Sequence, residues 1–145
     1  MDGRYRRARR HGFTLIELMV VLAIMGLLAT FSWNGYQQHV TRSRRAEGRA
    51  AVLQVLLQQE RHHARENSYR SFTAVASEAE FRWFSGDSEA SSAYLLQASA
   101  CPDGTLLACV QVTATPRANV FDDVQCGALS ADTLGRRNPV GDGCW

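Results

Sequence analysis

Lysine is absent from this sequence of 145 residues, so arginine supplies all 16 of its basic side chains. Five of these arginines lie within the first ten residues, whereas residues 13–145 contain 11 arginines and 13 acidic residues, a formal charge of −2. The basic isoelectric point of about 8.5 therefore comes mainly from the N-terminal segment. The overall charge gives no support for a nucleic-acid partner.

Motifs for catalysis and metal binding are also missing. The sequence has no nucleophile motif, no phosphate-binding loop and no pair of carboxylates arranged for acid–base chemistry. His62 and His63 are adjacent, so on a helix they point in different directions and cannot both bind one metal ion. We therefore expect no enzymatic activity, no cofactor and no metal site, and we place both histidines at the surface.

The four cysteines, Cys101, Cys109, Cys126 and Cys144, lie in the last third of the chain. They contain no Cys-x-x-Cys pair and no histidine lies among them, which argues against zinc. An even number of cysteines in a small domain indicates two disulfides and an oxidising compartment. Three pairings exist, and the sequential one is favoured because residues 101–109 resemble a turn between two apolar runs.

One ionisable side chain, Glu17, interrupts an apolar stretch of 21 residues from Phe13 to Trp33. A carboxylate among lipid tails costs roughly 3 kcal/mol, so a partner for its charge is expected. The stretch would span ~31 Å as a helix, enough to cross a membrane, and it exceeds the apolar core of a secretory signal peptide. A plain membrane anchor would not need Glu17. Cleavage after Gly12 would create a positive amine four residues from it.

The run Gly12-Phe13-Thr14-Leu15-Ile16-Glu17, between arginines and an apolar stretch, resembles the N-terminus of type IV prepilins. The resemblance implies that prepilin peptidase cuts after Gly12 and that the new amine of Phe13 is methylated. It also implies that Glu17 pairs with the amine of a neighbouring subunit during assembly. The expected parts are a leader at residues 1–12, a membrane-spanning or filament-core half-helix at 13–35 and a periplasmic globular domain at 36–145.

Beyond Asn34 the apolar residues return at helical spacing, at Tyr36, Val40, Ala46, Ala50, Leu53 and Leu57. Arg42, Arg45 and Arg49 lie off this stripe. The pattern predicts one helix of about 50 residues ending near Arg65, with its second half lying on a domain. Type IV pilins commonly have proline where this chain has Asn34, so we expect a continuous or gently bent helix.

Three later segments suit β-strands: Tyr94–Ala100, 106–115 and 127–131. A mixed connection at 66–93 precedes them, and its apolar residues Phe81, Trp83 and Phe84 are assigned to the core or to a subunit interface. The sequence thus predicts an α+β fold in which a long N-terminal helix packs on a small antiparallel sheet. This arrangement resembles the type IV pilin fold.

Several segments outside the N-terminus are similar to the PilE-like branch of minor pilins; they include residues 40–48, 59–61, 66–69, 113–116, 123–127 and Cys144-Trp145. The resemblance implies a minor pilus subunit that enters or primes the filament, with adhesion, twitching motility or DNA uptake as the outcome. The implied partners are other pilins, prepilin peptidase and the assembly platform of the bacterial inner membrane. A pseudopilin of type II secretion and a DNA-binding competence pilin are the alternatives.

A basic cluster on the helix consists of Arg42, Arg44, Arg45 and Arg49. We assign it to a surface that faces water or lipid headgroups. Pairing with acidic loops of another subunit and binding to nucleic acid are less favoured. For DNA binding we would expect basic residues and aromatics on the globular end, where Arg117, Arg136 and Arg137 are sparse.

Overall fold

A computed structural model describes residues 12–74 and 80–145, without the side chains of residues 30–34, so most of the expected leader lies outside the described residues. The described chain forms a long helix and a four-stranded antiparallel sheet with the order β1-β2-β3-β4. This is the α+β architecture that the sequence predicted. The elements are α1 (Leu15–Glu66), β1 (Tyr94–Ala100), β2 (Val110–Pro116), β3 (Leu129–Asp132) and β4 (Arg137–Asn138).

Helix α1 runs without interruption through Asn34 and Gly35, which confirms the continuous helix expected in the absence of proline. It ends where Asn67 adopts a left-handed conformation, with φ of 57°. The amide of Asn67 still donates to the carbonyl of His63 at 2.8 Å, a common way to finish a helix.

The chain divides into two compact units, one up to Gln38 and one from His39 to Trp145. Most described side chains of the first unit are apolar and exposed. Among the residues that the structure describes, no helix has an apolar stretch long enough to cross a membrane, so the span expected at residues 13–35 stays a prediction.

In the second unit, the inner face of the sheet packs on helix α1. Side chains alternate along β1 and β2, so that every second residue is buried. Cross-strand pairs such as Leu96 with Ala114 and Ala98 with Val112 form the sheet side of this core. Helix α1 contributes Ala51, Val52 and Val55.

The face of α1 that packs on the sheet is not the predicted apolar stripe. Leu53 and Leu57 are 47% and 52% exposed, and Ala46 and Ala50 are exposed beside them. The buried positions are instead Arg45, Gly48, Ala51, Val52, Val55 and Gln59. The apolar stripe therefore does not form the face that packs on the sheet.

Close packing and hydrogen bonding select the observed face. A Cβ atom on Gly48 would lie 2.9 Å from a ring carbon of Tyr94, so a glycine is needed where the helix meets this ring. The side-chain amide of Gln59 donates to the carbonyl of Arg70 at 2.7 Å and accepts from the amide of Arg70 at 2.9 Å. Because these polar groups have partners, the face can be buried without a purely apolar composition.

The strands differ from their predicted bounds at the turns. Strand β2 begins at Val110 rather than at residue 106, because the amides of Ala108 and Cys109 both bond to the carbonyl of Thr105 at 2.9 Å and form a turn. Strand β3 begins after Gly127, which has φ of 59°. The two-residue strand β4 was missed, since it is too short to show a sequence pattern.

Two disulfides close the turns of this unit. Cys101 is bonded to Cys109 and Cys126 to Cys144, which is the sequential pairing that the sequence favoured. The connection before β1 lies along the sheet edge, where Phe72 pairs with Ala98 and Phe84 with Leu95. Phe81 is buried and stacks on Phe72 with ring centroids 5.5 Å apart, as expected of a core residue.

A buried ion pair joins α1 to the segment before Cys126. Arg45 Nε and Nη2 donate to the two carboxylate oxygens of Asp123 at 2.8 and 2.6 Å, a bidentate arrangement. Asp123 also accepts from the hydroxyl of Tyr94 at 2.9 Å and from the amide of Cys126 at 3.0 Å. The carboxylate therefore links the helix, strand β1 and the disulfide-closed C-terminal region.

These partners decide the charge states in the network. Burial by itself would raise the pKa of Asp123, but the hydrogen bonds from Arg45, Cys126 and Tyr94 outweigh it and lower the pKa below its usual value. Burial, with the hydrogen bond to Asp123, raises the pKa of Tyr94. The network thus contains an ionised Asp123 and a neutral Tyr94 at neutral pH.

The substitution Asp123→Asn should reduce the free energy of unfolding by about 3–5 kcal/mol, because it leaves the guanidinium of Arg45 buried without a counterion. Chemical denaturation at neutral pH measures this loss. Asp122→Asn is the matched control, since Asp122 is adjacent and exposed. Equal stability of the two variants would show that the ion pair contributes nothing to the fold.

The same pair predicts a loss of stability in acid. Because folding lowers the pKa of Asp123, its ionised form stabilises the fold above the ordinary aspartate pKa of about 3.9, and this contribution disappears as the pH falls through the lowered value. The free energy of unfolding should therefore fall below about pH 4 more steeply in the parent than in Asp123→Asn. Parallel pH profiles would contradict this assignment.

Candidate functional site

Thr14 and Glu17 form a capping box at the start of α1. The carboxylate of Glu17 accepts from the amide of Thr14 at 2.8 Å and from its hydroxyl at 3.0 Å, and the amide of Glu17 donates to Thr14 Oγ1 at 3.3 Å. Sequence reasoning missed this role, although a threonine followed three residues later by glutamate is a known signal. In the single chain, Glu17 therefore stabilises the start of its own helix.

The surroundings of this cap are apolar and exposed. Phe13 is 87% exposed and Ile16 70%, and Val20 and Val21 continue the apolar surface along the helix. Gly12 and Phe13 lie ahead of the helix in an exposed segment, so the predicted cleavage bond is not covered by described residues. The predicted cleavage bond and the apolar surface around Glu17 are therefore both exposed in the described part of the chain.

The basic cluster on α1 separates into different environments. Arg42 is exposed, Arg44 donates to the carbonyl of Ser91 at 3.0 Å, and Arg49 is half-buried. Arg45 is buried against Asp123. The assignment of the whole cluster to a solvated or headgroup-facing surface was therefore wrong for Arg45, whose partner lies 78 residues away in sequence.

Three arginines converge on the loop at residues 84–92 and donate to its backbone. Arg82 donates to the carbonyls of Phe84, at 2.9 Å, and of Gly86, while Arg117 donates to the carbonyl of Glu89 and to Ser92 Oγ at 3.3 Å. Arg44 reaches the same loop at Ser91. Within residues 12–74 and 80–145, none of the three forms an ion pair, although the loop itself carries two acidic residues, Asp87 and Glu89.

Other arginines of this unit are already engaged. Arg70 pairs with Glu80 at 2.7 Å, and Arg136 pairs with Asp132 at 2.5 Å and with Asp103 at 3.6 Å. The guanidinium of Arg137 lies 5.4 Å from the ring centroid of Trp145. The arginine count therefore overstates the free positive charge of the surface.

The two histidines are half-buried, not surface residues as expected. His62 Nδ1 lies 3.0 Å from a carboxylate oxygen of Glu80, and His63 stacks on Tyr69 with ring centroids 4.3 Å apart. They do point to different neighbours, as their adjacency predicted. In the described parts of the chain, suitably spaced metal-ligand atoms belong to Cys101, Cys109 and Asp132, but both cysteines are disulfide-bonded.

Curated relatives of the chain are fimbrial proteins. It is 50% identical over 42 residues to the type IV major fimbrial protein FimA of Dichelobacter nodosus, which covers 29% of this chain and 26% of that protein. It is 56% identical over 36 residues to the fimbrial protein EcpC of Eikenella corrodens, with 25% and 24% covered. The chain thus matches about a quarter of the length of these relatives.

A type IV pilin from Shewanella oneidensis is a solved structure similar to this chain, with a TM-score of 0.47 and 24% identity over 72% of this chain and 96% of that one. The prokaryotic N-terminal methylation motif matches residues 7–33. Residues 35–130 match the family described as type IV minor pilin ComP, DNA uptake sequence receptor. Because this match covers more than half of the chain, the chain belongs to that family of type IV minor pilins.

Proposed function

We propose that this minor pilin enters a type IV pilus through its N-terminal helix and presents its globular unit to DNA. The observation that carries the proposal is the match of residues 35–130, which contain most of the globular unit, to a family described as a DNA uptake sequence receptor. The match favours a DNA-receptor pilin over a pseudopilin of type II secretion. In this proposal the chain is a structural subunit. Prepilin peptidase cleaves it, and the chain itself catalyses no reaction.

Assembly is supported by two apolar surfaces that the single chain leaves uncovered. One surrounds Glu17 at the start of α1, and the other is the exposed stripe of Ala46, Ala50, Leu53 and Leu57. Exposed apolar surfaces of this kind favour burial against other subunits, because burial removes apolar side chains from water. Before assembly, we place the helix in the bacterial inner membrane, where the assembly platform operates, and the disulfide-bonded unit in the periplasm.

Glu17 would then change its partner during assembly. In the single chain its carboxylate bonds to Thr14 of the same helix. Removal of residues 1–12 and burial against other subunits would bring it near the free amine of a neighbouring Phe13. An unpaired carboxylate is costly in an apolar environment, so the register that supplies the amine is favoured over the others.

Two substitutions separate the charge of Glu17 from its capping role. Glu17→Gln retains the capping geometry, because glutamine also serves in capping boxes, but removes the charge. Thr14→Ala removes the cap and retains the charge. We expect cleavage after Gly12 in both variants, and incorporation into sheared pili to fall at least tenfold only in Glu17→Gln, measured by immunoblot. Normal incorporation of Glu17→Gln would refute charge pairing.

DNA binding by this chain must be selective, since its globular unit is not basic overall. Residues 39–145 contain 11 arginines and 12 acidic residues, so general attraction to phosphates is weak. Arg44, Arg82 and Arg117 meet at the 84–92 loop, where the loop's own Asp87 and Glu89 offset two of the three positive charges. A few phosphate contacts there would position DNA, and other groups would have to read its sequence.

The double variant Arg44→Ala/Arg117→Ala should weaken DNA binding by the full chain in detergent micelles. Each lost phosphate contact should reduce the slope of log affinity against log salt by about 1, so the slope should fall by about 2 between roughly 50 and 200 mM salt. Fluorescence anisotropy with labelled duplex DNA measures this slope. Arg70→Ala is the control, because Arg70 is already paired with Glu80. An unchanged slope in the double variant would exclude this region.

A further inference from the structure

The exposed stripe on the part of α1 in the globular unit has the spacing of a coiled-coil seam. Its apolar members are separated by four, three and four residues; they are Ala46, Ala50, Leu53 and Leu57. In a seven-residue repeat lettered a to g, this spacing places them alternately at positions d and a, through which supercoiled helices pack on each other. The stripe therefore has the residue spacing that suits a second helix.

Burial along the helix follows the same repeat. The buried residues of this part of α1 all occupy positions b, c or f; they are Arg45, Gly48, Ala51, Val52, Val55 and Gln59. Between residues 42 and 61, every a, d, e and g position is exposed or half-buried. These are the positions that a partner helix contacts in a coiled coil. The chain's own globular unit thus fully covers none of them.

Opposite charges flank the stripe. Arg42 occupies a g position and is exposed, and Glu47 occupies the following e position and is half-buried. In a parallel pair of helices, each g residue faces the following e residue of the partner, so Arg42 of one copy would face Glu47 of the other. Neither residue forms an ion pair within the part of the chain that the structure describes. The flanking charges are therefore complementary to a second copy of this chain.

The seam is short, and polar residues bound it. Ser43 occupies the preceding a position, and Glu60, at the following d position, accepts from the hydroxyl of Tyr69 of its own chain at 3.0 Å. Stable interfaces bury roughly 1,200–2,000 Å², more than about two repeats can supply, so the seam alone would pair weakly in water. Anchoring both helices in one membrane would fix their parallel orientation and raise their effective concentration.

We propose that two copies of this chain pair in parallel through the a and d positions of residues 46–57 while they wait in the membrane. Arg42 of each copy then pairs with Glu47 of the other. This inference rests on the membrane placement that the proposed function gives to α1. The apolar stripe that assembly would bury is thus covered before the subunit enters a filament.

Cysteine cross-linking tests the pairing in the full chain reconstituted in phospholipid vesicles. The native cysteines are all disulfide-bonded, so Ala46→Cys adds a single free thiol. Position 46 lies at one end of the seam and meets itself only in a parallel, in-register pair, where Cα atoms up to about 7 Å apart can be bridged. Mild oxidation should give roughly tenfold more cross-linked dimer than in Glu66→Cys, an exposed control at a c position.

Charge reversal then tests whether the contact is between copies. In the Ala46→Cys background, Arg42→Glu or Glu47→Arg alone places like charges together, and the cross-linked fraction should fall roughly tenfold, because two exposed pairs change from attraction to repulsion. Mixing the two variants restores opposite charges across copies and should restore most of the cross-linking. Arg61→Glu is the control, because Arg61 is exposed at an e position whose facing g residue, Leu56, is uncharged.

The mixture contains the same two proteins that fail alone, so misfolding cannot account for a recovery. Cross-linking of Ala46→Cys no greater than that of Glu66→Cys, or no recovery in the mixture, would overturn the inference. Incorporation of the chain into sheared pili is measured separately. A missing cross-link with normal incorporation overturns only the pairing, whereas absence of the chain from pili overturns the proposed assembly.

Discussion

The bidentate pair between Arg45 and Asp123 is the constraint on which the globular unit depends. It connects the helix to the segment before Cys126, and Tyr94 adds strand β1 to the same carboxylate. Breaking such a buried pair costs far more than forming it contributes, because the remaining charge stays buried without a partner. The main effect of the pair is therefore to determine which face of α1 packs on the sheet. Only one rotation of α1 about its axis places Arg45 against Asp123 and Gly48 against the ring of Tyr94.

This choice of helix face has a consequence for assembly. When Arg45, Gly48 and Gln59 face the sheet, the more apolar stripe with Leu53 and Leu57 faces outwards. The face that packs inside the subunit thus combines apolar residues with polar residues that have hydrogen-bond partners, and an apolar stripe stays exposed beside it. At the start of the helix, Glu17 likewise has a hydrogen-bonding partner, Thr14, within its own chain.

Arginine is the only long basic side chain in this sequence, and two arginines hold the 84–92 loop. A guanidinium offers several donors in a fixed plane, so Arg82 and Arg117 can hold the 84–92 loop through carbonyl oxygens while their charge stays unpaired. One side chain can then order a loop and still attract an anion.

Local patterns in the sequence determined the long helix and its end, the position of β1, the two disulfides and the N-terminal processing motif. Each of these depends on residues close together in the chain, or on composition. Tertiary structure alone decided which face of α1 is buried and that Arg45 pairs with Asp123. The reason is physical: an arginine among arginines is indistinguishable by sequence from its solvated neighbours until a partner 78 residues away is brought against it. Propensity and periodicity describe what a segment can do locally, whereas burial depends on which surfaces meet.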